Sequence, residues 1–144
     1  MSVTGLRQVD DTIHTTNVWL KEIMTLCRWT ERHDAYRALR VTLQSLRDHL
    51  PIETLAHLSA QLPTLIRGVL FESWQPGREH PEKRDLASFL FPIQEAFDRY
   101  PSVDAADVAK AVFEVMRMHV SAGEMAQVEH ALPRQVRSIL VSDI

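Results

Sequence analysis

Apolar residues recur along this chain at intervals of three and four almost throughout, the period of an amphipathic helix rather than the alternation of a strand. Tyr36, Leu39, Leu43, Leu46 and Leu50 fall on one face of such a helix. Ala106, Ala109, Phe113, Met116 and Val120 form the same stripe 70 positions later. Upstream, Trp19, Leu20, Ile23 and Cys27 match Phe89, Leu90, Ile93 and Phe97 at the same offset. These stripes predict helices over 12–30 and 85–100. Thr30, Glu31 and Asp34, then Ser102 and Asp104, supply polar and acidic residues for the starts of the next pair. Pro51 breaks the chain after the 34–50 stripe, because proline suits a first helical turn and disfavours helix in the residue before it. In the matching place Ser121 and Glu124 have the spacing of a capping box. Pro63 and Pro133 open the last helix of each half. Short helices are expected over 51–62 and 122–132, and final ones over 63–74 and 133–143.

The offset extends to identities. Residues 34–70 and 104–140 agree at 9 of 37 positions without a gap, where unrelated sequence would agree at about 2 or 3. The identical pairs include Asp34/Asp104, Arg47/Arg117, His49/His119, Pro63/Pro133 and Arg67/Arg137. A period of this length marks a copied supersecondary unit. The expectation is an all-α, single-domain helical bundle over 1–144. It would contain about eight helices in two tandem four-helix repeats, 12–74 and 82–144, joined by an exposed polar connector at 75–84. The halves should superpose at a shift of 70. The helix near 104–121, which carries Val108, Val112 and Val115 on neighbouring faces, should be the more deeply buried of its pair.

Composition narrows the class. The chain has 144 residues, 45% of them hydrophobic and 24% charged, the balance of a globular domain. A lone cysteine, Cys27, excludes an internal disulfide and suits a reducing compartment. No apolar run reaches the length of a membrane span, and no signal-peptide core precedes the first stripe. A cytoplasmic location without a membrane partner is expected. The net charge of −3 argues against a strong grip on nucleic acid.

Candidate chemistry is sparse. The copied residues Asp34, Asp104, Arg47, Arg117, His49, His119, Pro63 and Pro133 read as structural framework, since a copied residue most simply serves the copied fold. The histidines would cap helix C-termini. One copied arginine pair, 47/117 or 67/137, is expected to bond the paired aspartates. Arg67 and Arg137 could instead anchor a phosphate or carboxylate, although holding helix ends through carbonyls is the plainer role. Trp74 lacks a counterpart short of the chain end and could cover the seam between halves or bind there. Arg78 and His80 make the connector locally basic. Glu53 and His57 share a helix face, but no third ligand is spaced to join them, so no metal is expected. No phosphate loop, nucleophile elbow, zinc motif or nucleotide fingerprint occurs, so no catalytic residue and no cofactor is assigned and a non-enzyme is favoured.

Several stretches resemble one family. They are Tyr36-Arg37-Ala38-Leu39-Arg40, Leu46 to Pro51, Ala60 to Pro63, Ile66-Arg67-Gly68, Trp74-Gln75-Pro76, and Leu132-Pro133 with Arg137. In order and spacing the chain resembles the bacterial DUF2267 family of uncharacterised proteins. It departs at Ser73-Trp74-Gln75, where family members more often carry Gly-Trp-Asp. The resemblance implies an all-helical fold and brings no activity, cofactor or partner. The leading functional reading is a small helical protein-interaction or adaptor module, its partner a protein or a second copy of itself. The alternative is a small-ligand binder or enzyme using the seam. Nucleic-acid binding through Arg134 and Arg137 ranks last.

Overall fold

A computed structural model describes residues 3–76 and 84–141. Among these residues there are eight helices and no strand: α1 (Arg7–Cys27), α2 (Arg32–His49), α3 (Ile52–Ala60), α4 (Thr64–Phe71), α5 (Leu86–Ala96), α6 (Ala105–His119), α7 (Ala122–Ala131) and α8 (Arg134–Val141).

The helix boundaries follow local chemistry. Pro51 takes φ −59° and ψ 149° at the start of α3. Ser121 takes φ −60° and ψ 149° at the start of α7, so proline and serine impose the same bend. The capping box at Ser121 is only half formed. Its hydroxyl accepts from Glu124 N at 3.2 Å, but the Ser121 N–H donates to Gln61 Oε1 at 2.9 Å rather than to Glu124. Gln61 Nε2 also donates to the Ser121 hydroxyl at 3.1 Å, which ties the end of α3 to the start of α7.

α1 begins earlier than its apolar stripe suggests and stops at Arg28. There the chain enters the left-handed region at φ 59°, and Trp29 N donates to Met24 O at 2.9 Å. This is a Schellman ending made without glycine, which explains why the sequence does not announce it. Ser73, just past α4, also has a positive φ of 60°. A glycine would adopt such a φ without the clash a Cβ brings.

The paired aspartates do different work. Asp104 caps α6 by accepting from Ala106 N at 2.9 Å. α2 starts at Arg32, so Asp34 lies inside its first turn, 4.0 Å from Arg37. Neither aspartate meets a copied arginine, contrary to the sequence expectation. Arg47 donates to the Leu70 and Glu72 carbonyls, each at 2.9 Å. Arg67 reaches Ser59 O at 2.8 Å and Leu62 O at 3.1 Å. Arg117 pairs with Glu114 at 3.1 Å and Glu129 at 2.9 Å. Arg137 reaches Leu132 O at 3.3 Å. For three of the four arginines the physical reason is helix length: short helices leave many carbonyls without a donor, and Arg47, Arg67 and Arg137 satisfy some of them, whereas Arg117 pairs with nearby glutamates.

One apolar cluster runs from Trp19 and Ile23 through Leu39, Leu43, Leu46, Ile66 and Leu70 to Phe89, Ile93, Phe113, Met116 and Leu140. α2 lies inside it, packed against α1, α4, α5 and α6, while α6 meets α1, α2, α5, α7 and α8. α1 packs on α6 as well as on α2, and α5 on α2 as well as on α6, so each first helix bridges the two halves. The histidines seal these crossings. His119 stacks on Trp19 with ring centroids 4.8 Å apart, and His49 meets Phe89 edge-on at 5.5 Å. His49 Nδ1 lies 2.8 Å from Ser45 O, and His119 Nε2 lies 2.8 Å from Glu22.

α6 matches α2 closely in burial rather than clearly exceeding it. It buries 8 of 15 residues, whereas α2 buries 9 of 18, among them Thr42, Ser45, Arg47 and His49. Polar residues on α2 look surface-directed in the sequence, yet three of them enter the core because helix-terminal or in-helix carbonyls receive them. Ser45, for example, donates to Phe89 O at 2.6 Å.

Two copied arginines should differ in their contribution to stability. Arg47→Met removes a buried cation-assisted link to two carbonyls and should cost about 2–3 kcal/mol. Arg117→Met breaks half-exposed ion pairs and should cost under about 1 kcal/mol. Urea unfolding of both variants measures the gap, and equal losses would contradict the assigned roles.

Candidate functional site

A groove lies where the end of α1 meets the start of α6. It encloses about 490 Å³, within the ordinary range of ligand pockets. One wall is Leu26, Cys27, Arg28 and Trp29; the other is Asp104, Asp107, Val108, Lys110, Ala111 and Glu114, with Ser102 and Val103 between. Two local features make it. The left-handed residue Arg28 swings the chain away from α1. The spacing of Asp104, Asp107, Val108 and Ala111 then brings one face of α6 to the opening.

The matching junction, α5 against α2, is filled. At the offset of 70, Phe97 stands where the groove has Cys27, and Arg37 stands where it has Asp107. Phe97 is buried and stacks on Trp29 at 5.5 Å. The Arg37 guanidinium lies 5.8 Å from both the Phe97 and the Tyr100 ring centres. A thiol in place of a phenyl ring and a short acid in place of a long cation leave the second junction open.

The electrostatics of the groove are mixed. Asp107 forms no ion pair among the described residues, and Asp104 is committed to its cap. Burial, with a smaller push from the Asp107 charge, raises the Cys27 thiol from 9.0 to about 11. At neutral pH it is a protonated, weakly polar wall rather than a nucleophile. Among the described residues no three His, Cys, Asp or Glu side chains gather closely enough to hold a metal ion, and no helix is long and apolar enough to cross a membrane.

The residues singled out from sequence lie elsewhere. Arg67 is spent on the end of α3. Trp74 is half-buried against Phe71, with ring centres 5.3 Å apart, and is remote from the groove lining. Arg78 and His80 lie outside the described residues. Arg137 lines a separate surface groove with His130 and Arg134. The structure therefore does not gather Arg67, Arg137 and Trp74 into one seam. Cys27, Trp29 and Asp107 were missed as site residues. Their signal was present in the offset comparison, where Cys27/Phe97 changes volume sharply and Arg37/Asp107 reverses charge.

A family profile described as an uncharacterized conserved protein, DUF2267, matches residues 16–139. The chain belongs to the DUF2267 family. The match spans α2 to α7 entirely and includes both walls of the groove. Comparison with proteins of curated function finds no match. Family membership thus carries the fold, and the function of this DUF2267 protein has to be argued from its surface.

The raised thiol pKa gives a direct check. Iodoacetamide at neutral pH should modify Cys27 at least about tenfold more slowly in the native protein than in urea, since two pKa units leave about a hundredth of the thiolate. Asp107→Asn removes only the smaller cause and should speed the native reaction little. Because the folded pKa lies above the unfolded one, the native state also loses stability as pH climbs from 9.0 to about 11, where the unfolded chain gives up this proton first. Equal alkylation rates in the two states would refute the assignment.

Proposed function

We propose that this protein is a helical protein-interaction module whose docking site is the groove between α1 and α6. The carrying observation is the contrast between two equivalent junctions, one filled by Phe97 and Arg37 and the other left open beside Cys27 and Asp107. The groove offers an apolar floor from Val103, Val108 and Ala111, a flat aromatic wall from Trp29, and the unpaired acid Asp107 at its edge. Such a site suits an apolar side chain of a partner helix followed by a basic residue. Leu26, 42% exposed at the rim, extends the apolar contact.

Supporting this reading, the helix bounds have the spacing expected of a copied four-helix unit. α2 and α6 end 70 residues apart, as do the starts of α3 and α7 and of α4 and α8. The inter-helix contacts exchange in the same way, α1 on α6 for α5 on α2. In a copied unit a departure from the shared pattern is where a new role can enter. A cytoplasmic setting fits a lone thiol, and one 144-residue domain fits an adaptor. The volume of the groove also favours a second reading, a small apolar cation held by Asp107 and Trp29.

Cys27→Phe and Ala111→Trp fill the groove and should leave far-UV helicity unchanged. Affinity capture at native expression level should return a protein with the parent chain and lose it with both filled variants. A small organic cation that raises the parent's Tm but not theirs would select the second reading. If the filled variants retain every partner of the parent, the groove is not the docking site.

A further inference from the structure

A second groove, independent of the first, opens between the end of α7 and α8. It encloses about 420 Å³ and is lined by Glu129, His130, Arg134, Arg137, Ser138 and Val141. We propose that it binds a small phosphate-bearing anion through Arg134, Arg137 and Ser138, with His130 at its rim.

The argument starts from Arg137 and its counterpart. Arg67 commits two nitrogens of its guanidinium to helix ends, Nε to Ser59 O at 2.8 Å and Nη2 to Leu62 O at 3.1 Å. Arg137 keeps only the second of these, Nη2 to Leu132 O at 3.3 Å. Its Nε is buried and has no acceptor among the described residues. A buried donor without an acceptor is rare and destabilising in a native protein, and calls for a reason. Nη2 anchors the guanidinium and Nε is shielded from the groove, leaving Nη1 to meet an oxyanion.

The surroundings differ in the same sense. Where α7 and α8 have His130, Arg134 and Ser138, the first half has Ala60, Thr64 and Gly68. One guanidinium group, an imidazole and a hydroxyl thus replace side chains with no charge, beside an arginine common to both halves. Glu129, the acid in the groove, is already paired with Arg117 at 2.9 Å, and so does not neutralise the arginines. A chain of net charge −3 has no general reason to collect cations here. Arg137 at the floor, Arg134 one turn back on the same helix and the Ser138 hydroxyl present donors of the kind that phosphate oxygens accept.

The test follows the arginine Nε–Hε signals by NMR and the Tm in parallel, with inorganic phosphate, phenyl phosphate, chloride at matched ionic strength and a DNA duplex as separate titrants. Both phosphates should move the Arg137 signal saturably, leave the Arg67 signal in place, and raise the Tm. Arg134→Gln, an exposed change, should keep the fold and weaken phosphate about tenfold, the loss expected for one charge-assisted contact. No saturable shift, the same shift with chloride, or undiminished affinity in Arg134→Gln would overturn the proposal. A response to DNA alone would overturn it in favour of nucleic-acid binding.

Discussion

Short helices create the constraint on which the rest of this structure depends. α3, α4, α7 and α8 have 9, 8, 10 and 8 residues. In a helix that short, about half of the carbonyls lie in the last turn, beyond the reach of any backbone donor. Where those ends are buried, some other group must supply the hydrogen bonds. Long polar side chains do so repeatedly. Gln44 reaches Val69 O and Arg47 reaches Leu70 and Glu72 at the end of α4. Arg67 serves the end of α3, and Arg84 donates to His49 O at 2.7 Å and Ala131 O at 3.3 Å. The guanidinium is suited to this work because it offers five donors from a rigid plane. Arg47, Arg67 and Arg84 are therefore backbone partners in this fold, while Arg40 and Arg117 pair with acids. Arg137 serves the same backbone duty only in part.

The same constraint explains what could be read from the sequence. The helices and their order were legible because apolar spacing and proline placement report directly on local structure: Pro51, Pro63 and Pro133 mark starts to within a residue. The ends were less legible. Arg28 closes α1 in a left-handed conformation that glycine would have advertised, and α2 starts at Arg32, before Asp34, whereas Asp104 caps α6. Burial was only partly legible. Counting apolar residues favoured α6, but α2 comes close to it because Ser45, Arg47 and His49 are also buried, each reaching a backbone carbonyl. The destination of a polar side chain is a tertiary fact, set by helices distant in sequence.

The candidate sites followed a similar logic. Identity between the halves drew attention to Arg67, Arg137 and the histidines, and these residues bond helix ends, a nearby acid or an aromatic ring. Difference carried more information. Cys27 opposite Phe97 opens a groove, and Ser138 and Arg134 opposite Gly68 and Thr64 give another groove its polarity. Neither contrast is visible as a motif. Each becomes legible only when the two members of a pair are known to occupy comparable junctions in space.

The bridging of the two halves by their first helices also bears on how the chain folds. α1 completes its packing against α6, and the Glu22–His119 contact that closes this crossing spans 97 residues. Helical proteins gain speed from local contacts, and loop closure over long separations delays the contacts that reward it. Here Trp19 finds its stacking partner in the penultimate stretch of helix before α7, so neither half completes its core alone. On a ribosome, the first four helices would leave the exit tunnel with an aromatic face still uncovered. The native state would form in one late, cooperative step after α6 has emerged.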